Sequence, residues 1–177
     1  MNARAPFFIF RAPPFPALLV LALAGAFVFG AATTAHARIG ESGADLRKRF
    51  GRPESQPSKD VLVWLIEEPS GALLYTVTLD DRGISIAEGL KPFRQAALSE
   101  QSARNFIKDQ LSMLADPRTA RAVKPGESYV FGGETLSCGE HEQVIVDDAN
   151  NLLVIWATRP MPSVMAATHE MMQRTRR

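Results

Sequence analysis

The sequence predicts an α+β fold, an antiparallel meander sheet with helices packed on one face, and three observations carry that expectation. Leu73, Tyr75, Val77 and Leu79 alternate with Thr76 and Thr78, the period-two pattern of a half-buried strand. Turn residues such as Asp80-Asp81-Arg82-Gly83 follow at once, which joins neighbouring strands antiparallel. Between Ser99 and Leu114, Ala103, Phe106, Ile107, Leu111 and Leu114 fall on one helical stripe while Arg104, Lys108 and Asp109 fall elsewhere. Helices of that kind bury their stripe against a sheet.

The order of elements starts with an export signal, residues 1–37. Arg4 and Arg11 give the positive start, Pro16 to Gly30 the apolar run, and Ala35-His36-Ala37 the small-residue cleavage site. A retained anchor is the rival, because Phe15 to Ala32 is an 18-residue apolar or small stretch. The expected product is a single α+β domain, residues 38–177, exported to the periplasm or the extracellular space and touching the membrane only through its transient signal. Without Arg4 and Arg11 the chain holds 18 basic and 19 acidic side chains, a formal charge of −1. Its basic residues form no stripe, so a nucleic-acid partner is not expected.

Ser42-Gly43-Ala44-Asp45 opens a short helix, with Leu46 and Phe50 on one face and Gly51 and Pro53 as the stop. Gln56 to Asp60 reads as a polar connection. Val61 to Ile66 is a continuous apolar run, expected as a strand buried on both faces. After the turn Glu67 to Gly71 comes the alternating strand. Ile84 and Ile86 then begin a third, with Ser85 facing away.

Asp116-Pro117 ends the long helix, Tyr129 to Phe131 is a short apolar segment, and Gly132-Gly133 breaks it. Val144 to Val146 and Leu152 to Trp156 are strands around the turn Asp147 to Asn151. Val164, Met165, Thr168, Met171 and Met172 mark one face of a closing helix. Leu62-Val63-Trp64 precedes Asp80-Asp81 by the interval that separates Tyr129-Val130-Phe131 from Asp147-Asp148. This spacing suggests a tandem duplication, helix plus three strands twice, then a final helix.

The series Gly40-Glu41-Ser42, Leu46, Phe50, Gly51 and Pro53 resembles the first helix and Gly-x-Pro stop of domains like the β-lactamase inhibitory protein and small outer-membrane assembly lipoproteins. The resemblance implies helices followed by antiparallel strands, in some members twice, and binding to protein surfaces through an open sheet face. The chain departs from that pattern in lacking paired or lipid-bearing cysteines. As a whole it looks like a secreted bacterial protein.

Few residues point to chemistry. Cys138-Gly139-Glu140-His141-Glu142 is the densest polar cluster, and Cys138 with His141 would make a thiol nucleophile and its base if Gly139 bends the chain. The alternative for Cys138, alone in the chain, is a packed small hydrophobe. Met165, His169 and Met172 stand at i, i+4 and i+7, where soft ligands on one helical face would suit Cu(I); Met161 lies just upstream. A core-facing stripe has the same spacing. His169-Glu170 lacks a second histidine at Gln173 for zinc, and the acidic pairs Asp80-Asp81 and Asp147-Asp148 read as turn caps. The expectation is a non-catalytic binding module without a cofactor, whose partner is an envelope or secreted protein. A small thiol hydrolase and a periplasmic Cu(I) protein are the alternatives.

Overall fold

In the computed structural model, residues 38–175 are described; the expected signal segment, residues 1–37, and the terminal Arg176 and Arg177 lie outside them. The first helix, α1 (Gly43–Phe50), starts at Ser42, whose Oγ accepts from the Asp45 N–H at 3.1 Å and donates to the Asp45 carboxylate at 2.6 Å. Such a cap contributes about 1 kcal/mol. Gly51, at φ 77°, ends the helix in a conformation that costs glycine little.

Strands β1 (Ser55–Ser58), β2 (Val61–Glu68), β3 (Gly71–Leu79) and β4 (Ser85–Pro92) follow as an antiparallel series. The expected polar connection is therefore partly an edge strand. Its side chains are all exposed, so no apolar alternation marked it, and Pro57 is tolerated at a sheet edge. Strand β2 is not buried on both faces: Leu62 and Trp64 point inward while Val63 and Leu65 alternate outward. Leu65 keeps 37% of its surface. Ser85 also differs from expectation. A register shift at the β3–β4 ladder turns it inward, and it is 1% exposed.

The long helix α2 (Glu100–Leu111) is capped by Ser99, whose Oγ accepts from the Ser102 N–H at 3.0 Å. A single 3-10 turn, Pro117–Thr119, leads to β5 (Arg121–Val123). A separate hairpin, β6 (Ser128–Phe131) and β7 (Glu134–Ser137), turns at Gly132-Gly133. Strands β8 (Glu142–Asp147), β9 (Leu152–Ala157) and β10 (Ser163–Ala167) then return to the main sheet.

The closing helix predicted from Val164 is thus half strand. Only α3 (His169–Arg174) is helical, because Ser163–Ala167 inserts between β4 and β9 and forms ladders with both. A helix there would leave the edges of both neighbours without partners. The Thr168 N–H and hydroxyl both donate to the Ile86 carbonyl, at 3.0 and 3.1 Å, where the strand ends.

The main sheet has the order β1-β2-β3-β4-β10-β9-β8-β5, so its halves mirror one another about the β4–β10 pair. Each half is a three-strand meander preceded by a helix: α1 before β2–β4, and α2, with the inserted hairpin, before β8–β10. The spacing that suggested this arrangement does not map onto it. Trp64 lies in the main sheet, whereas Phe131 lies in the hairpin.

Two cores form, one on each face. The registers align Leu62, Val77, Glu88, Ala166 and Val154 in one row and Trp64, Tyr75, Leu90, Val164 and Trp156 in the next. Leu46 of α1 and Ala103 and Phe106 of α2 close over these rows. Phe50 stacks on Trp64 and Tyr75, with ring centres 5.6 and 5.3 Å away; aromatic pairs of this kind add about 0.5–1.5 kcal/mol beyond burial. On the opposite face, Tyr129 and Phe131 of the hairpin pack with Val144, Val146 and Leu153, and Met172 of α3 joins them. Two helices therefore share a face as expected, and α3 lies across the sheet from them. Among the described residues no helix is long and apolar enough to cross a membrane.

Candidate functional site

The hairpin and α3 cover the second face over β8 and β9 and leave it open over β2 and β3. Val63, Thr76, Gly89 and Met165 form a cross-strand row on that side, and Leu65, Leu74 and Lys91 form the row beside it. Met165 is 40% exposed, and every other member is partly or fully accessible. The centre of this surface is flat because Gly89 has no side chain; a Cβ there would stand 3.3 Å from the Val164 carbonyl oxygen and 3.6 Å from the Met165 Cβ. Exposed β-branched and aliphatic side chains on a rigid sheet make a surface suited to an apolar partner.

Behind this face, on the helix side, sits the most perturbed group among the described residues. Glu88 is 2% exposed and occupies a position that Val77 and Ala166 flank in the apolar row. Tyr75 Oη and Gln110 Nε2 donate to its Oε2 at 2.8 and 2.9 Å, and Ser85 Oγ lies 2.9 Å from its Oε1. Burial pushes the carboxyl up to about 7; the three hydrogen bonds oppose the shift and the charge of Glu41 adds to it.

The same residues hold the start of the described chain. Gln110 Oε1 accepts from the Ile39 N–H at 3.1 Å, Gly40 N–H donates to Ser85 Oγ at 3.0 Å, and Ser85 Oγ is 3.1 Å from the Arg38 carbonyl. Glu88 therefore couples α2, the central strands and residues 38–40 in one network.

Cys138 is 3% exposed, and its Sγ contacts the carbonyl oxygens of Val123, Gly139 and Glu142 at 3.6–3.8 Å. Burial, followed by the nearby carboxylates of Glu142 and Glu127, raises its pKa, which disfavours a thiolate. His141 is exposed at the turn before β8, and its carbonyl accepts from the Thr158 N–H at 2.9 Å. Among the described residues, no hydrogen bond joins the Cys138 thiol to the His141 ring.

Met165, His169 and Met172 do not share a helical face. Met165 belongs to β10, His169 opens α3, and Met172 packs into the core beneath the hairpin. A copper site at that spacing needs one continuous helix, and β10 and α3 are separate elements. His169 instead stacks on Phe131, ring centres 4.4 Å apart, and its Nε2 lies 2.9 Å from Asp148 Oδ1.

The acidic pairs cap turns. Burial works against the charge of Asp80, but the Ile84 N–H, the Arg82 side chain and the Arg82 N–H hold its pKa below the usual carboxylate value. Burial likewise opposes Asp147, and hydrogen bonds from Thr119 and Asn150 outweigh it. Asp148 is held low chiefly by the Gly132 N–H at 2.9 Å.

Glu88 escaped the sequence pattern, because Ser85, Ile86, Ala87 and Glu88 are four consecutive buried residues with no alternation between them. No protein-family model, curated protein or solved structure matches this chain.

Proposed function

We propose that this protein is a non-catalytic binding module, exported through its N-terminal signal, that meets an envelope or secreted protein with the uncovered part of its main sheet. The observation that carries this is the row Val63–Thr76–Gly89–Met165 with Leu65 and Leu74 beside it. The second face is covered by its own hairpin on one side only, and the remaining apolar strand surface has no intramolecular cover among the described residues. Antiparallel sheets with one solvated face ordinarily place polar side chains there. Here valine, leucine and methionine stand in those places, an arrangement that favours an apolar partner.

A photo-crosslinking side chain at position 65 tests the proposal in producing cells. One discrete adduct is expected, lost when Met165→Lys places a charge in the same surface. Absence of an adduct, or an adduct indifferent to Met165→Lys, overturns it. Recovery of a chain starting at Arg38 from outside the cytoplasm is the expected companion result, and an intact Met1 terminus in cytosol overturns the export component.

A further inference from the structure

The helix side of the sheet carries a second surface, distinct from the one proposed for protein binding. Helix α2 packs over β9 and β10, and at its flank the inward residues of β8 stay partly open. The result is a cleft of about 470 Å³ with Ile107, Leu111, Ile145 and Trp156 among its walls. That volume falls in the about 300–1,000 Å³ range of small-molecule sites. Arg104 and Lys108 also line it, and because residues 104, 107, 108 and 111 share one side of a helix, the cations stand directly beside the apolar wall.

The two cations are not equivalent. Arg104 is engaged by Glu100 at 2.6 Å, and its guanidinium carbon lies 5.8 Å from the centre of the Trp156 ring. Lys108 is exposed and forms no ion pair among the described residues. One wall thus offers an uncompensated ammonium and the others offer hydrocarbon. We infer that this cleft binds a free single-chain carboxylate, with the acyl chain against Ile107, Leu111, Ile145 and Trp156 and the carboxylate at Lys108. A neutral apolar ligand would leave the ammonium unused, and a cation would meet the like charge of Lys108.

Isothermal titration of the full chain with monomeric dodecanoate, below its micelle concentration, tests the inference. Saturable binding of one dodecanoate per chain is expected, weakened about tenfold by Lys108→Glu, since an exposed ion pair is modest but reversal replaces attraction with repulsion. Dodecyltrimethylammonium should not bind the unmodified protein. Raising ionic strength should weaken dodecanoate binding to the unmodified protein, a readout that needs no variant to fold. Non-saturating uptake, equal binding of the cationic amphiphile, or an affinity indifferent to both Lys108→Glu and salt overturns the inference. So does a response to anionic phospholipid vesicles with none to dodecanoate. The Met165→Lys variant should retain dodecanoate binding, which separates failure of this site from failure of the sheet surface.

Discussion

Ser85 Oγ stands 2.9 Å from Glu88 Oε1 and 3.1 Å from the Arg38 carbonyl oxygen, and a serine hydroxyl has one proton to give. When Glu88 is ionised, that proton goes to the carboxylate and the Arg38 carbonyl is left with the Glu41 N–H, at 3.1 Å. When Glu88 is protonated, it donates to Ser85 Oγ and the Ser85 proton turns to Arg38. The charge of one buried carboxyl therefore decides whether the Arg38 carbonyl has this second donor, while Ile39 and Gly40 stay bonded to Gln110 and Ser85.

The first prediction concerns stability against pH. Burial raises Glu88 from an ordinary 4.5 to about 7, so between those values the folded chain keeps a proton that the unfolded chain has released. The contribution of Glu88 to stability is full below about pH 4.5 and is lost as pH rises toward 7, a fall of about 3 kcal/mol. Glu88→Gln, whose amide mimics the protonated acid, should flatten that decline and unfold later than the parent at pH 8. Urea denaturation across pH 4.5–8 checks it; a parallel decline in the variant would assign the slope to another group.

The acid side should behave in the opposite sense. Asp80 accepts from the N–H groups of Arg82 and Ile84 at 2.9 and 2.8 Å, and its pKa is depressed. Stability from Asp80 is present above the ordinary carboxylate range and lost as pH falls through its lowered value. Asp80→Asn should cost about 1–2 kcal/mol at pH 7 and less at pH 2, because acid takes the parent toward the same uncharged state. Denaturation at the two pH values measures the difference directly.

The legibility of this fold followed the exposure of its strands. Strand β3 could be read because Thr76 and Thr78 stay partly accessible while Tyr75 and Val77 are buried, which writes the sheet's two faces into the residue types. Strand β10 could not, because Val164 and Ala166 face one core while Met165 and Ala167 are apolar as well, and a short apolar run fits a helix equally. Its identity is decided by β4 and β9, residues distant in sequence. The cap at Ser42 was local and could be read. The Glu88 network joins Ile39, Tyr75, Ser85 and Gln110 across 71 positions, and no local pattern records it.

The lone thiol gives a third prediction. With Cys138 3% exposed and its pKa raised by burial, alkylation of the native protein at pH 8 should run at least about a hundredfold slower than in denaturant, where the thiol is free. Fast labelling of the folded protein would restore the thiol-hydrolase alternative.

Gly71 offers the most local test of how the two halves are joined. It opens β3 at φ 106°, and a Cβ built on it would lie 2.8 Å from the Ala96 Cβ and 3.1 Å from the Ala96 Cα. Ala96 belongs to the segment that carries the chain from β4 to α2. Hydrogen bonds from the Phe93 N–H to the Ala72 carbonyl (3.0 Å) and from the Ala97 N–H to the Ser70 carbonyl (3.3 Å) press that segment against the β2–β3 turn. Gly71→Ala must therefore both adopt a left-handed conformation, at about 1–2 kcal/mol, and push this connection outward, at about 1–3 kcal/mol. A loss of about 3 kcal/mol in denaturant unfolding is expected. Gly71→Ala combined with Ala96→Gly should recover part of the overlap share alone, because removing the Ala96 methyl relieves the 2.8 Å contact but leaves the 3.1 Å approach to the Cα of residue 96 and the backbone strain at position 71.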